Sequence, residues 1–408
     1  MEFQISAKAK KTIFGVTGVG LLAFIIGIVQ NSGTDQFMTR LYSNFLIDGF
    51  FFLAIALGAL FFLALQYATE TGWSVAVKRV VEGVASYVVV GVIILLVVFA
   101  ILTLTDGGFS GALTSHGHHT GHIYQWMDPV IVEHDPLIQG KQPFLTKTFF
   151  WALTLIYAGT YIIFYRGFRK RSLQEDLEGG TKIHYKNYAK GALFLVLFGY
   201  FSSTSSWHWI MSIDAHWFST LFGWYVFGGM WCTAMTTIML VVLYLKRKGH
   251  LEQVNDSHLH DIGKWIFATS FLWSYLFFSQ FMLYWYADIP EEVIYYVTRI
   301  EEYKYIYWGM FMINFIIPML ILMSDSAKKN AGILMTVCII IIIGHWGDVY
   351  MLITPGTMGE YGTIGFMEVG LFLTFAGVFT YIVLNTLSKA PLMPKNHPYL
   401  DESKHHHI

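Results

Sequence analysis

The chain has 408 residues, of which 55 % are hydrophobic and 13 % charged, with a mean hydropathy of +0.51. A soluble domain carries about 25 % charged residues, so this composition excludes a soluble enzyme, a disordered chain and a secreted disulfide scaffold. Charge nearly cancels, 26 Lys and Arg against 27 Asp and Glu, which leaves no basic surplus for nucleic acid, and two cysteines are too few to hold an iron–sulfur cluster.

Ten apolar segments follow in order, with cores near 12–30, 44–68, 81–104, 147–165, 190–212, 217–245, 263–287, 303–323, 331–352 and 363–387. Each approaches or exceeds the ~20 residues a helix needs to cross a bilayer. The runs are continuous rather than alternating, which excludes a β-barrel reading. The first segment is too long and lacks the small-residue cleavage site of a signal peptide, so it is expected to be a retained helix.

Between the segments, 21 of the 26 Lys and Arg fall on one set of loops and both termini, and 5 on the other set. The positive-inside rule then predicts both termini in the cytoplasm and an even number of spans. The long third loop, about 105–146, faces outward and carries His116, His118, His119, His122 and His134 beside Trp126, Asp128 and Pro129. Its length suits a docking surface or a cap over the helices. Its G-H-H-T-G-H stretch lacks firm ligand spacing, so no metal site is expected. The terminal run His405–His407 resembles a purification tag and enters no functional argument.

Ionisable groups inside a span are costly and mark function by default. The predicted orientation puts Asp48, His208, Asp214, His345, Asp348 and Glu368 in the outer half of the membrane, with His216 in the turn after the fifth helix. His345 and Asp348 are three apart and share a helix face. Glu70, Lys78, Arg79 and Glu82 bracket a cytoplasmic loop and are expected at the interface. The Ser202–Ser206 run offers hydroxyl donors deeper in the fifth helix, and Trp and Tyr are read as interfacial belts. Such an outer cluster suits quinol oxidation, with a His and a carboxylate taking the released protons, or a proton relay without quinone. The bland alternative is helix capping and local pairing. His208 and His345 are the only pair that could ligate a haem, and no cofactor is expected on this chain apart from a possible menaquinol. Phosphate loops and nucleophile elbows are absent from the sequence.

His208-Trp209 and His345-Trp346 recur four helices apart, a faint repeat that fits two four-helix bundles. The expected architecture is an all-α polytopic membrane protein with both termini inside. A flanking helix (12–30) precedes a first bundle (44–212) and a second bundle (217–352). A second flanking helix (363–387) and a cytoplasmic tail (388–408) follow.

The segment W-H-W-I-M-S-I-D-A-H-W-F-S-T-L-F-G-W-Y, Trp207–Tyr225, resembles the signature between helices 5 and 6 of the F-subunit (ActF) family of bacterial alternative complex III. L-G-A-L-F-F-L-A (57–64), G-W-S-V-A-V-K-R-V-V-E-G (72–83) and Y-Q-W-M-D-P (124–129) support it. The family is related to NrfD/PsrC-type quinone-interacting anchors, and the resemblance implies the same two-bundle fold. It further implies a subunit of a respiratory quinol:electron-acceptor oxidoreductase in the bacterial inner membrane, surrounded by membrane lipids. The implied partners are multi-haem cytochromes c, an iron–sulfur subunit, a sibling NrfD-like membrane subunit and a terminal cytochrome oxidase. Haem c and iron–sulfur clusters would then sit on those partners, and menaquinol oxidation on the sibling, leaving this chain proton conduction or anchoring. Asp214 and His216 match the signature, whereas His208 and Ala215 stand where the family pattern often has Asp and Pro. The competing expectation is an ion-coupled secondary transporter using the same cluster, which would show helices broken near mid-membrane.

Overall fold

The computed structural model describes residues 3–109 and 122–407. His116, His118 and His119 lie outside the described residues. Among the described residues the regular structure is helical, with one isolated β-bridge between Gly108 and His122 and no strand.

Ten long helices make the body. They are α1 (Ala7–Asn31), α2 (Phe37–Ala68), α3 (Trp73–Leu104), α4 (Lys147–Glu178), α5 (Lys182–Trp209), α6 (Phe222–Arg247), α7 (Asp256–Ala287), α8 (Lys304–Leu322), α9 (Ala331–Met358) and α10 (Phe366–Leu387). Nine of them, all but α5, are apolar and long enough to cross a membrane, which makes this a multi-pass helical membrane protein. Local signals start the helices where expected. The Ser6 hydroxyl accepts from the Ala9 amide at 3.2 Å, Asn330 accepts from Gly332 and Ile333, and Asn255 with His258 forms a capping box on α7. Two helices are uneven. α3 is interrupted at Ser86–Tyr87, and α8 contains a π-helical turn at Met312–Ile316 just before Pro318.

α2 is buried along most of its length and packs on α3, α5, α6, α9 and α10. α6 is its counterpart, packing on α2, α5, α7 and α9. Gly58 makes the α2–α6 crossing close, since a methyl there would overlap the Met230 carbonyl. α1 and α10, expected as separate flanking helices, pair with each other.

The helix termini define two ends. At the tail end the chain's C-terminal segment binds the starts of α3 and α7 and the end of α4. Ser403 accepts from the Ala76 amide, His406 Nε2 lies 2.6 Å from Asp261, and the Lys395 amide donates to Asp176. At the loop end, two short helices, Pro129–His134 and Pro136–Lys141, lie over the end of α5, and a third, Pro290–Glu301, follows α7.

Candidate functional site

The predicted residues separate into five places rather than one cluster. Deepest are Asp48 and the His345–Asp348 pair. His345 is fourteen residues past the start of α9 and thirteen before its end, so it lies mid-helix and not near the outer end as the sequence reading had it. Asp48 stands eleven residues into α2, about 16 Å along its axis. Both carboxylates are buried. The Trp346 indole donates to Asp48 Oδ1 at 2.8 Å. On the other side of α9, the Trp273 indole donates to Asp348 Oδ2 at 2.9 Å and the Tyr225 hydroxyl donates to Oδ1. His345 Nδ1 is 3.6 Å from Asp348 Oδ2, and neither ring nitrogen makes a hydrogen bond. Trp273, Trp346 and Tyr225 therefore serve inside the bundle, a correction to the interfacial-belt reading. Tyr225 closes the Trp207–Tyr225 segment, the one signal that pointed to it.

Glu368 sits in the first turn of α10, where its Oε2 accepts from the Gly365 amide at 2.7 Å. Arg40 grips it with two nitrogens, at 2.7 and 2.8 Å, and Asn44 adds a third donor at 2.9 Å. This is a cap and an ion pair.

His208 is buried in the last turn of α5. Its ring stacks on Phe144 at 4.0 Å and faces the carbonyls of Thr204 and Phe144 at 3.2 and 3.4 Å. It lies at the helix end whereas His345 lies mid-helix, so the repeated His-Trp dipeptides occupy unmatched depths. The nearby Ser and Thr hydroxyls bond back to their own helix, Ser206 to the Ser203 carbonyl at 2.7 Å and Thr204 to the Tyr200 carbonyl at 3.0 Å.

Asp214 and His216 follow α5 at the loop end. Asp214 accepts from Arg299 Nη2 at 3.0 Å, and the guanidinium also covers the Tyr295 ring at 3.3 Å. Burial opposes the Arg299 charge, but Tyr295 and Asp214 outweigh it and raise its pKa further. His216 Nε2 is 2.5 Å from Asp135 of the overlying loop. Asp214, His216, Tyr295 and Arg299 line a cavity of about 260 Å³ with Trp217, Glu291 and Glu360. A second, mostly apolar cavity of about 500 Å³ opens between α1, α2, α6, α9 and α10. Phe52 and Phe372 line it, and Phe372 packs on Trp346, so it reaches the layer behind Asp48.

At the tail end, Lys78, Arg79 and Glu82 are buried inside the protein. Lys78 donates to Glu175 at 2.9 Å, Arg79 pairs with Glu82 and Asp176, and Glu82 also receives Arg169 and Ser172. The partners lie on α4, nearly a hundred residues away, and no local pattern announces them. Comparison with known protein families and with curated proteins finds no match, so the chemistry of these places rests on their geometry.

Proposed function

We propose that this chain is a membrane subunit of a quinol-oxidising respiratory complex of the alternative complex III type. In this reading it spans the bacterial inner membrane ten times, in two four-helix groups with two flanking helices, the tail end in the cytoplasm. It anchors haem- and iron–sulfur-bearing partners and conducts protons, with quinol oxidation centred on the sibling subunit. The observation that carries the reading is the pair of carboxylates, Asp48 of α2 and Asp348 of α9, buried within their helices on either side of α9. Asp48 and Asp348 are held by indole and phenol donors and, among the described residues, by no Lys or Arg. An ionisable group at that depth costs about 2.5–3.5 kcal/mol on insertion scales. Asp48, held by an indole, can take up and give back a proton without breaking a salt bridge, and Asp348 can exchange one with His345, 3.6 Å away. The 500 Å³ apolar cavity has the size and lining of a site for a quinol tail or an acyl chain.

Gentle extraction from the native membrane, with mass spectrometry and a haem spectrum, tests the reading. Co-purification of a multi-haem cytochrome c and a large iron–sulfur subunit is expected, and a lone haem-free chain under conditions that keep other complexes intact would overturn it. In the assembled complex, Asp348→Asn and Asp48→Asn are expected to lower proton release per quinol oxidised. Unchanged stoichiometry in both variants removes the proton role.

One observation favours an ion-coupled transporter instead. The π-turn Met312–Ile316 breaks α8 near its middle, and Asn314 within it is buried with neither amide atom hydrogen-bonded. Substrate-dependent uptake into vesicles by the isolated chain, abolished by Asn314→Leu, would select that reading.

A further inference from the structure

At the tail end, outside the places described for proton transfer, three residues remote in sequence meet. Glu175 ends α4, His184 begins α5 and His397 belongs to the C-terminal segment. One ligand atom from each lies within 4.8 Å of the other two. All three residues are buried, at 0, 3 and 7 % exposure.

Their unused atoms are the informative part. Glu175 Oε2 accepts from Lys78, and Oε1 has no hydrogen-bond partner. Neither ring nitrogen of His184 has one, though Glu70 Oε1 lies 3.4 Å from Nε2, within ion-pair distance should the ring be protonated. His397 Nδ1 accepts from the Tyr399 amide at 3.2 Å, which leaves Nε2 free of that bond. Buried polar atoms are ordinarily satisfied, and orphans on the His184 imidazole and the Glu175 carboxylate, facing a third buried ligand in His397, are what a cation's ligands look like before it is bound.

We propose that Glu175, His184 and His397 bind a divalent transition metal ion, with zinc the best fit. Two imidazoles and a carboxylate are a zinc-type donor set, and tetrahedral ligands at about 2.1 Å from the metal stand about 3.4 Å apart. Small side-chain rotations close the present spacing to that value. A cavity of about 20 Å³ beside the two histidines, lined also by Gln66 and Thr71, has room for one water as a fourth ligand. Arg79 is matched by Glu82 and Asp176, whereas Lys78 also lines this cavity and holds Glu175 Oε2, so the ion would take Oε1 and share the carboxylate with that lysine. The ion would staple the C-terminal segment to the junction of α4 and α5, a structural site without a role in proton transfer.

The test uses the full-length protein in detergent, loaded with zinc and washed with a weak chelator, beside His184→Ala and His397→Ala. All three keep the terminal histidines, so any metal bound there cancels. The wild type is expected to retain one zinc per chain more than either variant, and His260→Ala, a histidine outside the cluster, to match the wild type. Cobalt(II) added to the wild type is expected to give the strong visible absorption of a tetrahedral site, and chelation to speed amide exchange over 393–404. Equal metal content in all proteins, or no tetrahedral cobalt spectrum in the wild type, overturns the proposal.

Discussion

Glu368 shows what a single side chain can hold in this bundle. Its carboxylate joins Arg40 and Asn44 of α2 to the first turn of α10, and Arg40 reaches on to Asn31 at the end of α1 at 2.8 Å. Arg40→Leu leaves a buried carboxylate without its cation, and breaking a buried pair from one side costs about 3–5 kcal/mol. The double variant Arg40→Leu/Glu368→Leu removes both charges and is expected to unfold at a higher temperature than Arg40→Leu alone. Thermal unfolding in detergent reads the order, and additive losses would deny the coupling. The same pair marks the limit of the sequence. That Asp48, His345, Asp348 and Glu368 lie inside or at the mouths of spans is legible from hydropathy. Which of them is neutralised and which is held by neutral donors is not, because Arg40 is 328 residues from Glu368 and Trp346 is 298 from Asp48. Only the folded packing of α2 against α9 and α10 brings those partners together.

Among the elements, α1 is the most exposed to its surroundings, and what holds it is shape. Gly20 and Gly27 face α10, and Gly370 and Gly377 face α1, each so close that an added methyl would strike the opposite helix; at Gly20 it would lie 2.7 Å from the Thr374 amide nitrogen. With lipid on both sides there is no hydrophobic gain from pairing, so close packing of small residues supplies the association. Gly27→Leu is expected to cost about 1–3 kcal/mol of α1–α10 association, read as faster amide exchange over 7–31 in detergent. Unchanged exchange would show that α1 is held by something else. The overlying loop is fastened differently. Burial of Asp135 raises its pKa, but the His216 ring and the Ile138 and Leu137 amides together outweigh this and hold it below the ordinary aspartate value. A carboxylate with a depressed folded value stabilises fully above its unfolded value and loses that contribution as pH falls through the folded one. Amide exchange over 129–141 is therefore expected to speed up below about pH 3.8, and Asp135→Ala to show the faster exchange already at neutral pH. Equal exchange in both proteins at neutral pH would release the loop from this contact.

At the scale of the molecule the decisive element is α5, because it sets the parity of the fold. It is a continuous 28-residue helix packed against α2, α4 and α6, yet its polar ends keep it out of the set of helices that hydropathy alone selects. The polarity is largely spent inside the helix, where Thr204, Ser205 and Ser206 bond the carbonyls of the preceding turn. Its two ends touch opposite ends of the bundle. His184, in the first turn, edges the His397 ring at 5.2 Å, while at Trp209 the carbonyl accepts from Tyr124 at 2.6 Å. With α5 added to the nine apolar helices, the proposed fold has ten crossings and both termini on one side, which the bias of Lys and Arg would make cytoplasmic. The two native cysteines, Cys232 and Cys338, are buried, so new ones can be read against a silent background. In intact cells a membrane-impermeant maleimide is expected to label Gln139→Cys in the overlying loop. Gly249→Cys and Asp401→Cys are expected to react only after permeabilisation. Labelling of Asp401→Cys together with Gln139→Cys in intact cells would mean that one of the ten helices does not cross. The proton path proposed through Asp48 and Asp348 would then lose its two sides.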